Sequence, residues 1–233
     1  MHVPDGFFNA PVSIGAGVVA AAGIGLCLRG ARRELDERTA PLAGLSAAFV
    51  FAAQMINFPV AAGTSGHLMG GALAAILVGP YTGVLCISVV LLVQMLFADG
   101  GVTAYGINVT LMALTGVLVG YGVFKAVTAL LPGGLAHSRA GLTAASFLGA
   151  LASVPASALV FVALFALGGT ADLPLGAVLG AMLGVHLLIG IGEGVITAIT
   201  VGTVAAVRPD LVYGLRGRPA SPLEIRTPRS VEV

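Results

Sequence analysis

Charge is almost absent from this sequence, and that scarcity decides which solvent the chain can fold in. Asp, Glu, Lys and Arg make up 9% of 233 residues, against 58% hydrophobic. A soluble domain of ordinary composition carries about 25% charged residues. So few charges cannot cover a water-facing surface, which leaves lipid. A crossing helix needs about 20 apolar residues, so the length suits six or seven crossings with little soluble structure besides. The net charge of +1 gives no sign of nucleic-acid binding. No basic stretch of the kind that opens a secretory signal stands in the first ten residues.

Seven apolar segments run over 12–28, 42–60, 67–79, 83–98, 108–129, 142–168 and 175–207. Gly79-Pro80-Tyr81-Thr82-Gly83 separates the short third and fourth segments, which read as two tilted spans or as a broken hairpin. Breakers at membrane depth are tolerated where protein or a cavity surrounds them. Gly supplies 34 residues and Trp none. Small residues let helix backbones approach closely in lipid. Cys27 and Cys86 stand alone in apolar runs, lack CxxC spacing, and read as filler.

The basic residues set the orientation. They are Arg29, Arg32, Arg33, Arg38, Lys125, Arg139, Arg208, Arg216, Arg218, Arg226 and Arg229. With the N-terminus outside and seven crossings, all of them fall on the cytoplasmic side, and Asp5, Asp99 and Asp172 fall opposite. The expectation is an all-α integral protein of the plasma membrane with seven transmembrane helices and a cytoplasmic C-terminus. It divides into a membrane domain over 1–207, headed by an N-terminal metal-binding segment, and a Pro- and Arg-rich tail over 208–233 that reads as poorly ordered.

The start of that segment, Met1-His2-Val3-Pro4-Asp5-Gly6, carries the first chemistry. A terminal amine, the backbone nitrogen of His2 and its Nδ1 can close a five-membered and a six-membered ring on one metal ion. Met1 is expected to be retained, since the initiator is removed mainly before small residues. Pro4 has no N–H and cannot add a further amide nitrogen. Three nitrogens in a plane leave one position open, and planar nitrogen ligation suits Ni2+ or Cu2+. The plainer reading is a frayed terminus with an incidental His. His67 follows Gly63-Thr64-Ser65-Gly66 in a loop on the same expected side, so it is a candidate fourth ligand; a lone loop His is otherwise a solvated polar group.

Asn57, Gln94, Asn108, His186 and Glu193 lie in or at the edges of apolar segments. Intramembrane ionisable groups mark functional paths. His186 and Glu193 are seven residues apart and share a helix face. With Ser65, these residues could orient the ligands, or they could simply bond helix to helix. His137 lies near Arg139 and receives no role. No GxxxxGK[ST] loop is present, so any ATP hydrolysis belongs to another protein.

The start MHVPDGFF, the loop NFPVAAGTSGHLMGGALAAILVGPYTG, the stretch FADGGVTAYGIN and the late helix HLLIGIGEGVIT together resemble the CbiM/NikM family. Its members are the substrate-binding membrane components of energy-coupling-factor (ECF) cobalt and nickel importers. The resemblance covers most of residues 1–207. It implies a seven-helix fold with an outside N-terminus. It also implies near-planar, all-nitrogen ligation of Co2+ or Ni2+, the transported substrate, by Met1, His2 and His67. The implied partners are a transmembrane coupling protein, a pair of ABC ATPases and a small accessory membrane protein of CbiN or NikN type, expected to be a separate chain here. The subunit itself would be no enzyme. The chelate chemistry leans towards nickel and the family name towards cobalt and cobalamin biosynthesis, so both metals stay open.

The competing reading is a rhomboid-like intramembrane serine protease. Gly63-Thr64-Ser65-Gly66 fits its GxSG pattern, and His186 could serve as base to Ser65. The HxxGxxxG that should follow is missing, because Ile189 stands at the first glycine position. A vitamin-binding component is the third reading, but it would want more aromatic residues than four Tyr and no Trp.

Overall fold

The structure, a computed structural model, describes residues 2–37, 39–56, 58–59, 65–136 and 138–216, without the side chains of Phe58, Pro59 and Ser65. Met1, Asn57, His137 and the tail beyond Arg216 lie outside the described residues.

Among the described residues the regular structure is helical apart from a two-residue antiparallel ladder, Phe58–Pro59 against Ser65–Gly66, and an isolated bridge between Phe8 and Gly169. Helix α1 spans Ala10–Glu34, opened by Asn9, whose side chain accepts from the Val12 N–H. It runs well past the apolar segment. Arg32 and Arg33 occupy its last turn, where cations suit the negative end of the helix dipole. Helix α2 is Ala40–Gln54, α3 Gly71–Val78 and α4 Pro80–Leu96. Helix α5, Tyr105–Asn108, continues through a π-helical stretch, Val109–Thr115, into α6, Gly116–Leu130. A short α7, Gly133–Ala136, leads to α8, Arg139–Gly168, and α9, Leu175–Val207.

Among the described residues four helices are long and apolar enough to cross a membrane: α1, the continuous Tyr105–Leu130 rod, α8 and α9; α2 and α4 are shorter apolar helices. Large hydrophobic side chains such as Ile14, Val18, Leu26, Leu188 and Ile199 face outward. An apolar outer surface of this kind suits contact with lipid chains. The interior is knit by small residues. A Cβ on Gly149 would run into the Gly120 carbonyl, and one on Gly194 into the Phe147 ring.

Helix α3 covers only part of the apolar segment over 67–79, which the sequence leaves open as a tilted span or half of a broken hairpin. At 8 residues it is about 12 Å long, too short to cross alone, and every one of its residues is buried. The separator expected over 79–83 reduces to Gly79, since Pro80 already opens α4, where its missing N–H costs nothing. Gly79 has φ +101, and a side chain there would collide with the Glu34 carboxyl. That carboxylate accepts from the N–H groups of Tyr81 at 3.2 Å and Thr82 at 2.7 Å, capping the first turn of α4.

The chain after α9 also departs from expectation as far as it is described. Pro209–Leu211 and Tyr213–Leu215 form 3-10 turns, and Val212 and Gly214 are buried. Arg216 donates to the Glu34 carbonyl at 2.8 Å, and its guanidinium lies 4.9 Å from the Tyr213 ring centre. Residues 208–216 therefore form a strap across this end of the bundle.

Glu34→Ala strands two N–H groups, that of Thr82 buried and that of Tyr81 part-buried. We expect a loss of about 1–3 kcal/mol, read as a lower Tm in detergent, with Glu34→Gln losing less because its amide oxygen still accepts. An unchanged Tm in the Ala variant would show that water replaces the cap.

Candidate metal site

The N-terminal segment is stitched into the bundle from its second residue. Asn108, at the end of α5, pairs with the Val3 backbone as a neighbouring strand would: its Oδ1 accepts from Val3 N–H at 2.9 Å and its Nδ2 donates to Val3 O at 3.3 Å. Gly101 N–H adds a third bond to Val3 O at 2.8 Å. Asp5 Oδ1 accepts from Thr103 N–H at 2.7 Å and Thr103 Oγ1 at 2.5 Å, and these bonds hold its carboxyl below the ordinary carboxylate range. Gly101 permits the approach, because a Cβ there would strike the backbone of Pro4 and Asp5. Further along, Thr170 N–H donates to Phe7 O at 3.0 Å and Asn9 N–H to Gly168 O at 2.8 Å. Phe7 and Phe8 insert among Phe161 and Phe165 of α8.

His2 is thereby buried, with 5% of its surface exposed. Its Nε2 lies 2.9 Å from Gln94 Oε1 near the end of α4. An amide oxygen only accepts, so Nε2 carries the hydrogen and, in the neutral ring, Nδ1 holds the lone pair. Nδ1 lies 3.1 Å from Asp99 Oδ1. A metal cation on Nδ1 would sit beside the same carboxylate.

His67 comes from the loop before α3 and is fully buried. Its Nδ1 donates to Leu68 O at 2.7 Å, which leaves the lone pair on Nε2, an atom with no hydrogen-bond partner among the described residues. Burial, more than any neighbouring charge, holds this imidazole well below the ordinary histidine range, and so keeps it neutral and able to ligate. The two imidazoles stack, with centroids 4.3 Å apart and planes 20° from parallel.

The backbone beyond His67 is fixed by two buried side chains. Glu193 of α9 accepts from Met69 N–H at 2.7 Å and Gly70 N–H at 3.0 Å. Gln54, the last residue of α2, donates to Met69 O at 2.6 Å. Glu193 therefore acts on the loop that carries His67 and not on the ring. His186 donates from Nδ1 to Met182 O on its own helix at 2.7 Å and bonds to neither His2 nor His67. The Ser65 backbone pairs opposite Pro59 in the ladder.

Among the described residues, no three His, Cys, Asp or Glu side chains gather as a metal cluster. A metal held by His2 and His67 would need nitrogens from elsewhere, such as backbone or terminal ones. Sequence reasoning passed over Gln54 and treated Asp99 only as a topological charge. The polarity of Gln54 within an apolar run was the available signal, the same one that picked out Gln94.

Residues 2–211 match the family described as the cobalt uptake substrate-specific transmembrane region, CbiM. The chain belongs to this family. It is a membrane component of cobalt or nickel transport, and the protease alternative has no support. The chain is 40% identical over 214 residues to a Haloquadratum walsbyi protein that carries a metal-transport name, covering 91% of this chain and 94% of that one. It is 36% identical to the cobalt transport protein CbiM of Sorangium cellulosum, over 83% of this chain and 85% of the relative. It is 38% identical to the fused nickel transport protein NikMN of Rhodobacter capsulatus, over 65% of this chain and 46% of that longer protein. A solved structure described as a transition metal transporter superposes with a TM-score of 0.70 at 29% identity, covering 93% of this chain and all of the other.

Asn108→Ala removes two of the three bonds on Val3, each worth about 0.5–1.5 kcal/mol. Amide exchange across residues 2–8 is expected to accelerate roughly tenfold or more while exchange in α8 stays unchanged. Unaltered exchange at residues 2–8 would show that the bonds from Gly101, Thr103 and Thr170 hold the segment without Asn108.

Proposed function

We propose that this chain is the substrate-capturing subunit of an ATP-driven, ECF-type importer that takes Co2+ or Ni2+ at the outer face of the plasma membrane. The observation that carries the reading is the buried, stacked His2–His67 pair, with each tautomer set by a hydrogen bond at the other ring nitrogen. The ligands in this reading are the Met1 amine, the His2 amide nitrogen and Nδ1, and His67 Nε2. Four nitrogens suit a planar Ni2+ site and also accept Co2+. Asp99 offsets part of the ion's charge. Gln94 orients His2, Asn108 seats the segment, and Glu193 with Gln54 holds the loop. Such outer partners commonly contribute 10–100-fold in affinity.

The proposed topology has an outside N-terminus and seven crossings, with α3 as a partial one. In its support, Arg32, Arg33, Arg208 and Arg216 gather at the end where Glu34 meets the strap. That end would face the cytoplasm and the coupling protein with its paired ATPases. The fused relatives named NikMN support an accessory subunit of CbiN or NikN type. The supply would serve cobalamin biosynthesis or nickel enzymes.

Adding one Gly before Met1 is expected to abolish high-affinity binding of Ni2+ and Co2+ in titration calorimetry, and His67→Ala to weaken it tenfold or more. Full affinity in either variant overturns that part of the ligand set. Binding must displace protons from the His2 amide and from any protonated imidazole, so affinity should fall as pH drops. A pH-independent affinity between pH 8 and pH 6 would contradict nitrogen ligation. Energised uptake should require coexpression of the coupling protein and the ATPases. The subunit purified alone should hydrolyse no ATP.

A further inference from the structure

The capture site uses His2 and His67 and leaves one more buried imidazole unexplained. His186 is 1% exposed. Its Nδ1 hydrogen is engaged by Met182 O, so the lone pair sits on Nε2, and no described group bonds to that atom. Buried polar atoms are nearly always satisfied, and an ionisable side chain on a membrane helix marks function by default. Glu193, seven residues further along the same buried face of α9, bonds the Met69 and Gly70 N–H groups just beyond His67, which sets this face of α9 against the loop that carries His67. The two rings share a tautomer and each offers an unpaired Nε2.

We propose that His186 is the next ligand on the ion's route, accepting Co2+ or Ni2+ from His67 at Nε2. This rests on the capture reading above. The step is a ligand exchange with no change of oxidation state: the bond to His186 Nε2 forms as the bond to His67 Nε2 breaks, the Met1 amine and the two His2 nitrogens then let go, and the His2 amide nitrogen takes back a proton from water. What lies beyond supports a direction. His186, Glu193 and Thr197 lie on the buried face of α9. Thr197 Oγ1 has no described partner, nor has Gln54 Oε1 on the facing α2. A small crevice lined by Val50, Leu68, Gly70, Glu193 and Thr197 opens between these helices. Several nitrogens, then imidazole, then neutral or carboxylate oxygen form a series of falling strength for these metals. Exit requires successive sites that hold an ion more weakly than the first.

The test separates binding from transfer in the full transporter with its partner subunits. His186→Gln can still donate to Met182 O but offers only an amide oxygen to the metal. Titration with Ni2+ and Co2+ should give affinities within about threefold of wild type, and initial uptake of either ion should fall tenfold or more. His186→Cys supplies a thiolate ligand and should recover uptake to at least threefold above the Gln variant. Uptake at the wild-type rate in His186→Gln overturns the proposal and leaves a hydrogen-bonded structural His. Loss of affinity in step with uptake also overturns it, placing His186 within the capture site. A Cys variant no better than Gln removes the ligand role. A His67→Ala variant that binds normally would instead refute the capture reading itself.

Discussion

Hydrocarbon offers no hydrogen-bond partner, so a backbone N–H left open within it costs several kcal/mol. Breaks in a helix are therefore possible only where the protein supplies acceptors. The two interruptions that bound α3 each receive a carboxylate. Glu193 takes the N–H groups of Met69 and Gly70 at one end, and Glu34 takes those of Tyr81 and Thr82 at the other. Each carboxylate accepts two N–H bonds from the main chain. These two caps let a helix of 8 residues sit wholly inside the bundle. The loop before it can then carry an imidazole into the interior instead of leaving it among headgroups.

The His2–His67 pair is a consequence of that arrangement. Two segments with no regular structure meet, and both are held by side chains from rigid helices. Gln94 comes from α4, Asn108 from α5, Glu193 from α9 and Gln54 from α2. Each contact fixes either a ring tautomer or a stretch of backbone. The rings stack because the loops have little freedom left, and one nitrogen of each ring keeps its lone pair because the other is already engaged.

Much of this was legible in the sequence. The scarcity of charge identified the solvent, and the apolar runs located the long helices closely; 175–207 matches α9 as it stands. The polarity of Asn108, Gln94, His186 and Glu193 in apolar surroundings marked side chains that the fold buries. Their separate duties were not legible. Whether Glu193 would touch a ring or a backbone depends on the register between α9 and the His67 loop, which no local pattern encodes. The third segment already reads as short, but nothing local showed that residues 80–83 of the expected separator would belong to α4, leaving Gly79 with its positive φ as the whole interruption. The strap over 208–216 was hidden because its hold comes from one arginine, one aromatic ring and two small buried residues, in a composition that otherwise reads as tail.

Helix α4 has contacts of consequence at both ends. Its first turn rests on Glu34, whose own carbonyl is gripped by Arg216 of the strap, and near its last turn Gln94 holds His2. Between them the helix is unbroken from Pro80 to Leu96, a stiff strut of about 25 Å. Its ends cannot move independently. A shift of the strap that tilts or slides this strut is felt at the His2 ring, so the two faces of the bundle are geared to each other through a single helix.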